Sequence, residues 1–186
     1  MKQGCSKGQT WSFAVLAAAM SLTACSSEEP AAQPPQPTTS EASAVQVPNP
    51  KDATAVDPCN MLPEQTRVEL GLEPEGRKTD EGAGCDWYTE DLSKIVTLTV
   101  LSNRSLQEFR NSKEAYVDYE EFTVDGHPAI RANQGEPAKY GFCDFFLATN
   151  TNQILVASGR DSSQTDACGP ARKALEAAVP NLPAAN

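Results

Sequence analysis

The chain has 186 residues, of which 39% are hydrophobic, and it carries 25 acidic against 15 basic side chains. The net charge of −10 at pH 7 argues against binding to nucleic acid and against charge-driven docking on anionic lipid. A chain of this length suits one folded domain with additional segments.

The first 24 residues have the pattern of a secretory signal. Lys2 and Lys7 precede an apolar stretch at 11–22, which is the order of charge and hydrophobicity in a signal peptide. Those twelve residues would rise only about 18 Å as a helix, whereas a bilayer core needs about 20 apolar residues, so no permanent transmembrane helix is expected. We therefore predict that residues 1–24 are a cleaved signal peptide.

Cys25 closes the run Leu22-Thr23-Ala24-Cys25 and is followed by a polar segment. This run resembles the lipobox of bacterial lipoproteins. The resemblance implies that Cys25 is lipidated, with a diacylglyceryl thioether and an amide-linked acyl chain such as palmitate, and two or more chains anchor a protein stably. We expect a lipid anchor in the cell membrane, on its extracytoplasmic face. The alternative is an ordinary signal cut near Ala24, with Cys25 as a free thiol.

Residues 25–56 are predicted to contain the lipidated cysteine and a disordered tether. The segment holds six prolines and no aromatic residue, so it cannot bury enough apolar area to offset the entropy of ordering. Glycosylation at Thr38, Thr39 and Ser40 is an alternative to a plain spacer. Removal of the signal would leave 13 basic and 25 acidic side chains, a net charge of −12, so lipid rather than charge must hold the protein to the membrane.

The remaining residues, 57–186, are predicted to be a single compact domain with four cysteines. An even number of cysteines in an oxidising compartment predicts two disulfides. Of the three pairings, we favour Cys59–Cys85 and Cys143–Cys168, because each joins a helix to a nearby strand. Each also closes a loop that stabilises the domain by about 3.5 kcal/mol in the chain-entropy model.

The first half of the domain has the pattern of a helix, two strands and a second helix. A short helix is predicted at 63–70 and a strand at 84–88. The run at 94–101 is β-branched and apolar on both faces, which is typical of a central strand. Ser105 and Glu108 fit the capping box of the second helix.

The second half of the domain is predicted to be two hairpins and a last helix. Their segments are, in order, 119–124, 129–131, 142–148, 153–158 and 167–179. Asp125-Gly126 between the first two is a strong hairpin signal, and Asp166 can cap the last helix. The order of elements predicts an α+β fold, with an antiparallel β-sheet packed against helices on one face and held by two disulfides.

Several short motifs together point to a family. They are Asp57-Pro58-Cys59, Leu70-Gly71, Cys85-Asp86-Trp87, Gly126-His127-Pro128-Ala129, Cys143, Asp166-Ala167-Cys168 and Leu182-Pro183. The chain resembles the actinobacterial lipoproteins grouped as domain of unknown function 3558 over nearly all of 57–183. Leu62 departs from the family, which more often has a capping Thr there. The resemblance implies a location, a shape and a cysteine pattern, but no activity.

No catalytic or metal-binding pattern is recognisable, and we expect no cofactor. His127, the only histidine, is expected in a turn, and no serine has a G-x-S-x-G context. The cysteines lack the close pairs of zinc sites, and the loop 161–166 lacks the Gly and the terminal Glu of a calcium loop. A glycosidase-like carboxylate pair would have to come from a set of acids that we expect to be solvated. These acids are Glu75, Glu81, Asp86, Asp118, Glu120 and Glu121.

Adjacent aromatic residues give the one compositional sign of a binding surface. Phe145 and Phe146 must face opposite sides of a strand, so one of them needs cover from a helix, a ligand or a partner. Trp87 and Phe142 are expected in the core.

We predict a non-enzymatic binding module of the cell envelope, whose partner is an envelope protein, a lipid or a small wall-derived ligand. The alternatives are a wall-acting hydrolase that uses a carboxylate pair, and a structural or immune-exposed surface lipoprotein.

Overall fold

The computed structural model of the chain describes residues 45–79 and 82–185. These residues lie in the second of two units into which the chain divides, Ala42–Asn186, and only this unit is described. The predicted signal peptide, the predicted lipidation site Cys25 and the predicted tether up to residue 44 lie outside the described residues.

Seven strands form one sheet, which is antiparallel as predicted. The strands are β1 (Arg77–Lys78), β2 (Gly84–Tyr88), β3 (Lys94–Ser102), β4 (Asp118–Val124), β5 (His127–Asn133), β6 (Phe142–Asn150) and β7 (Gln153–Asp161). Their order across the sheet is β1-β2-β3-β7-β6-β5-β4. β3 and β7 are therefore central neighbours, although the whole β4–β6 meander separates them in sequence.

The α-helices are short. They are α1 (Glu64–Leu70), α2 (Leu106–Asn111), α3 (Pro137–Tyr140) and α4 (Cys168–Ala178). The sequence patterns predicted α1, α2 and α4, whereas β1 and α3 were not predicted. Within the described residues no helix is long and apolar enough to cross a membrane. A 3₁₀ turn at Lys113–Ala115 follows α2 and leads the chain into β4.

One side of the sheet, the α4 face, is closed by α4 and α1. Its buried strand side chains include Val96, Leu98, Val100, Phe145, Leu147, Leu155 and Ala157. Small residues let α4 approach closely: Ala171, Ala174 and Ala178 are buried, and a Cβ on Gly159 of β7 would overlap the backbone carbonyl of Ala167. This face holds the main core.

Both disulfides are paired as predicted. Cys59–Cys85 joins the 3₁₀ turn Pro58–Asn60 to β2, and Cys143–Cys168 joins β6 to the first residue of α4. The buried sulfurs of Cys85 and Cys143 belong to the core of the α4 face. The covalent links therefore reinforce the face that is already closed.

The opposite side of the sheet, the α2 face, is closed only in part. Phe109 of α2 lies 4.4 Å from Phe146 between ring centroids, whereas Phe145 is 1% exposed in the core of the α4 face. The prediction that these adjacent phenylalanines face opposite sides is confirmed. The expectation that all helices cover the same face of the sheet is wrong. Leu106 and Phe109 of α2 pack on the α2 face, whereas α4 and α1 cover the α4 face.

The folded part of the chain begins by Val45, not at residue 57. Val45 is buried in the α2-side cluster, and the Ala53 N–H donates to the side chain of Gln153 at 2.7 Å. Lys51 and Ala184 form an isolated antiparallel bridge, so the two ends of the described part meet. The predicted tether boundary at 56 is wrong because these contacts join residues about a hundred positions apart, which a proline-rich composition does not signal.

Candidate functional site

On the α2 face, beside the part that α2 covers, one patch consists of eight strand side chains that are partly or fully exposed. We call them the open half. They form two rows across β2, β3, β7 and β6: Tyr88, Ile95, Arg160 and Phe142 in one row, and Asp86, Thr97, Ser158 and Asp144 in the next. Charged, polar and aromatic groups thus lie side by side on a rigid sheet.

A groove of about 570 Å³ lies beside the open half. Four aromatic side chains line it: Tyr116, Tyr140, Phe142 and Phe146. Asn133 and Asp144 contribute polar groups. This volume is within the range of small-molecule sites, which combine apolar walls with a few polar groups.

The local backbone holds two of these rings towards solvent. Gly141, at φ 64°, ends α3 in a left-handed conformation that favours glycine. On either side of it, Tyr140 is 64% exposed and Phe142 is 45% exposed. The Tyr140 ring lies against Gly135, where a Cβ would overlap it. The Tyr140 ring thus packs against the backbone of Gly135 although most of it is exposed.

Asp144 provides the carboxylate of the groove. Its Oδ1 accepts a hydrogen bond from the Ser158 hydroxyl, and its backbone N–H donates to Asn133 Oδ1 at 2.8 Å. Burial raises the pKa of Asp144 above its usual range, and the bond from Ser158 opposes this shift. Among the described residues nothing bonds to Oδ2, so this oxygen is available to a donor from a ligand.

A second hollow of about 160 Å³ shares Phe142 with the groove. In it Asp86 accepts from the Thr97 hydroxyl at 2.6 Å and from the Tyr88 hydroxyl at 3.2 Å. Arg160 lines the same hollow, and among the described residues no partner bonds to its guanidinium. The hollow thus contains a satisfied carboxylate and an unpaired cation.

Asp144 and Arg160 occupy diagonal positions on neighbouring strands. Asp144 is paired with Ser158 in the register, and Arg160 is paired with Phe142. The Cα atoms of Asp144 and Arg160 are therefore about 7–8 Å apart. No ion pair joins the two side chains in the described part of the chain. The open half therefore holds opposite charges near each other without neutralising them.

The acids proposed as a catalytic pair are separated or already paired. Asp86 and Asp144 are three strand spacings apart, about 14 Å, which exceeds the carboxylate separations of glycosidases. Asp118 and Glu120 both bind Arg131, at 2.8 and 3.0 Å. Of the remaining acids, Glu121 binds Arg110 at 2.8 Å. Glu75 makes no hydrogen bond or ion pair with the described residues, and Glu81 lies outside them.

His127 is the first residue of β5 rather than a turn residue, because the turn itself is Asp125-Gly126, with φ of 49° and 78°. The His127 side chain is 1% exposed, and its Nδ1 lies 3.2 Å from the carbonyl oxygen of Asp125. Nε2 has no partner among the described residues. His127 pairs with Val124 of β4 in the register. Its ring lies on the α4 face, away from the residues of the groove.

The loop at 161–166 uses its acids to organise its own backbone. Both oxygens of Asp161 accept hydrogen bonds, from Ser163, Thr165 and the N–H of Asp166, which lower the pKa of Asp161 well below its usual range. Asp166 in turn accepts from the N–H of Gly169 at 2.7 Å, which confirms its capping role. In the described part of the chain no three His, Cys, Asp or Glu residues are placed to hold a metal ion.

The fold and the groove define a small, disulfide-bonded α+β domain with one open sheet face. A family described as "Protein of unknown function (DUF3558)" matches residues 20–181, and the chain belongs to this family. The match confirms the resemblance to domain of unknown function 3558 that the sequence motifs indicated. None of the curated proteins matches the chain significantly.

Sequence reasoning missed most of the groove. Tyr140 lies in a helix that was not predicted, and Asp144 and Arg160 meet only through the register of β6 and β7. Phe142 was expected in the core with Trp87, but it is half-exposed whereas Trp87 is buried. The alternation within β6 contained a usable signal, because Phe142, Asp144 and Phe146 must share a face.

Proposed function

We propose that the protein is a lipid-anchored, extracytoplasmic lipoprotein whose folded domain is a non-enzymatic binding module of the cell envelope. The observation that carries the binding role is the groove, in which exposed aromatic rings adjoin a carboxylate with an unbonded oxygen. Tyr140 and Phe142 leave aromatic surface exposed to water, and aromatic side chains often anchor ligands and partners.

The sequence supports the anchor. The apolar stretch at 11–22 leads directly to Cys25 in a lipobox-like run. The two disulfides of the folded domain suit an oxidising compartment outside the cytoplasm. A lipid anchor also leaves the acidic domain surface unused in membrane attachment, so the groove is available for another task.

The non-enzymatic reading is favoured by the placement of the acids. Burial raises the pKa of Asp144, which is the direction expected of a general acid and is the one observation in favour of a wall-acting hydrolase. Its nearest carboxylate in the same rows, Asp86, is about 14 Å away by strand spacing. A hydrolase role would require turnover that is abolished by Asp144→Asn, and we expect no such turnover.

The anchor is tested by comparing the wild type with Cys25→Ala in cells that process lipoproteins. We expect the wild type to partition into the detergent phase and its N-terminal peptide to carry diacylglyceryl mass on Cys25, whereas the variant stays in the aqueous phase or unprocessed. A free Cys25 thiol on a wild type that partitions into the aqueous phase would contradict the anchor.

The binding role is tested on the full lipoprotein in detergent micelles, by ligand-observed NMR against envelope lipids, wall sugar fragments and short peptides. We expect at least one class to bind the wild type and to lose binding in the double variant Tyr140→Ala/Phe142→Ala. Val68→Ala, which trims an exposed apolar side chain on α1, is the matched control. No binding in any class, or binding that the double variant leaves intact, would contradict the proposal.

A further inference from the structure

We infer that the ligand of the open half is a zwitterion, a short peptide with free termini whose ammonium group binds Asp144 and whose carboxylate binds Arg160. This inference rests on the proposed binding function and names the ligand class for the same groove. The carrying observation is the juxtaposition, on one rigid sheet face, of an unpaired guanidinium, a carboxylate with one unbonded oxygen and an exposed phenylalanine ring.

The groove suits a cationic group. No Lys or Arg is among its lining residues. Asp144 offers Oδ2 as an acceptor, and the negative faces of surrounding aromatic rings attract cations. Tyr140 already has such a contact with Lys139, whose Nζ lies 5.4 Å from the ring centroid, so the ring contacts left for a ligand are those of Tyr116, Phe142 and Phe146. An ammonium group therefore gains both a charge-assisted hydrogen bond and ring contacts.

The second hollow suits an anionic group. The neighbouring cation on the same face, Arg77, is already engaged by Glu73 at 3.4 Å and by the Tyr88 ring. Arg160 has no such partner among the described residues. A guanidinium presents a planar fork of donors that fits a carboxylate through two parallel bonds. Arg160 is therefore the cation of the open half that is available to a ligand.

The strand positions of Asp144 and Arg160 limit the length of the ligand. Their backbones are about 7–8 Å apart on the diagonal of β6 and β7, and Asp144 stays on its own side because Ser158 binds it. An extended chain spans about 3.3–3.6 Å per residue, so the termini of a dipeptide are separated by about 7 Å. Phe142, which pairs with Arg160 in the register, then lies beside the apolar side chains of the peptide.

The test is calorimetric titration of the full lipoprotein in micelles with four forms of leucyl-leucine: free, N-acetylated, C-amidated and doubly blocked. We expect the free dipeptide to bind best, and each block to weaken binding by about tenfold or more, because each removes a charged hydrogen bond. Asp144→Asn should remove the difference between the free and N-acetylated forms. Arg160→Gln should remove the difference between the free and amidated forms.

Two matched variants control for charge and folding. Asp125→Asn removes a carboxylate in the hairpin turn, and Arg172→Gln removes a guanidinium on α4; both should leave the four affinities unchanged. Arg160→Lys keeps the positive charge and should retain part of the preference for a free carboxylate. Circular dichroism checks that every variant is folded.

The outcomes separate this inference from the proposed function. If the blocked peptide binds as well as the free one and Phe142→Ala abolishes both, the groove is a binding site but its ligand is not recognised by charge, and the inference is overturned. If the free dipeptide does not bind while another ligand class does, the inference fails and the binding role stands. A preference for free termini that Asp144→Asn and Arg160→Gln leave unchanged would also overturn it.

Discussion

The two faces of the sheet divide stability and candidate function between them. The α4 face is closed by a helix rich in alanine, and both disulfides enter its core. The α2 face is closed only where α2 and Val45 pack, and its open half presents charged and aromatic groups. Because packing and covalent links stabilise one face, the other tolerates an unpaired Arg160 and an exposed Phe142 without unfolding the domain.

The largest expected effect compares two phenylalanines of one strand. Phe145→Ala should lower the free energy of unfolding by about 4 kcal/mol, because it opens a cavity in the core of the α4 face. Phe142→Ala should cost about 1 kcal/mol, since its ring is half-exposed. Urea unfolding followed by Trp87 fluorescence measures both. Equal losses would show that the two faces do not differ in their contribution to stability.

The second effect concerns the disulfide that ties β6 to α4. Cys143→Ala/Cys168→Ala should lower the free energy of unfolding by about 3.5 kcal/mol, because the unfolded chain gains loop entropy. The affinity of the groove should be unchanged in the folded protein. A loss of stability below about 1 kcal/mol, or a loss of affinity without unfolding, would contradict the division between the faces.

The third effect is pH-dependent stability on the α4 face. Asp161→Asn should cost about 2 kcal/mol at pH 7, because the amide cannot accept all the bonds that the carboxylate accepts. The pKa of Asp161 is lowered in the folded state, so its contribution is present above the unfolded pKa of about 3.9 and is lost as the pH falls. Thermal unfolding of both proteins from pH 7 to pH 3 should show the gap closing.

The smallest expected effect is a gain in stability rather than a loss, and it concerns Asp144 of the open half. The pKa of Asp144 is raised by burial, so its ionisation opposes folding at neutral pH and ceases to do so as the pH falls through the folded pKa. Asp144→Asn should therefore raise the melting temperature at pH 7, and the gain should vanish in acid. A variant that is less stable than the wild type at pH 7 would show that Asp144 is needed for folding rather than for binding.

Local chemistry made much of the fold predictable. The Asp125-Gly126 turn and the capping box of Ser105 and Glu108 both form as the residues indicate, and Glu108 accepts from the Ser105 N–H at 2.8 Å. Strand order, the packing of Val45 and the placement of Asp144 near Arg160 depend on contacts between distant segments. Neither periodicity nor composition fixes those contacts, so the sequence predicted most of the elements and the cysteine pairs but not the groove.

The bridge between Lys51 and Ala184 has a practical and mechanical consequence. The N–H of Ala185 donates to the Pro50 carbonyl at 2.9 Å, and that of Asp52 donates to Pro183 at 2.9 Å, so both ends of the folded part leave from one point. A tag or surface linker attached after residue 185 would hold the domain at the same point at which its N-terminal segment enters the fold. Tension applied between the two ends would load these few hydrogen bonds first and would leave the central strands β3 and β7 unstretched.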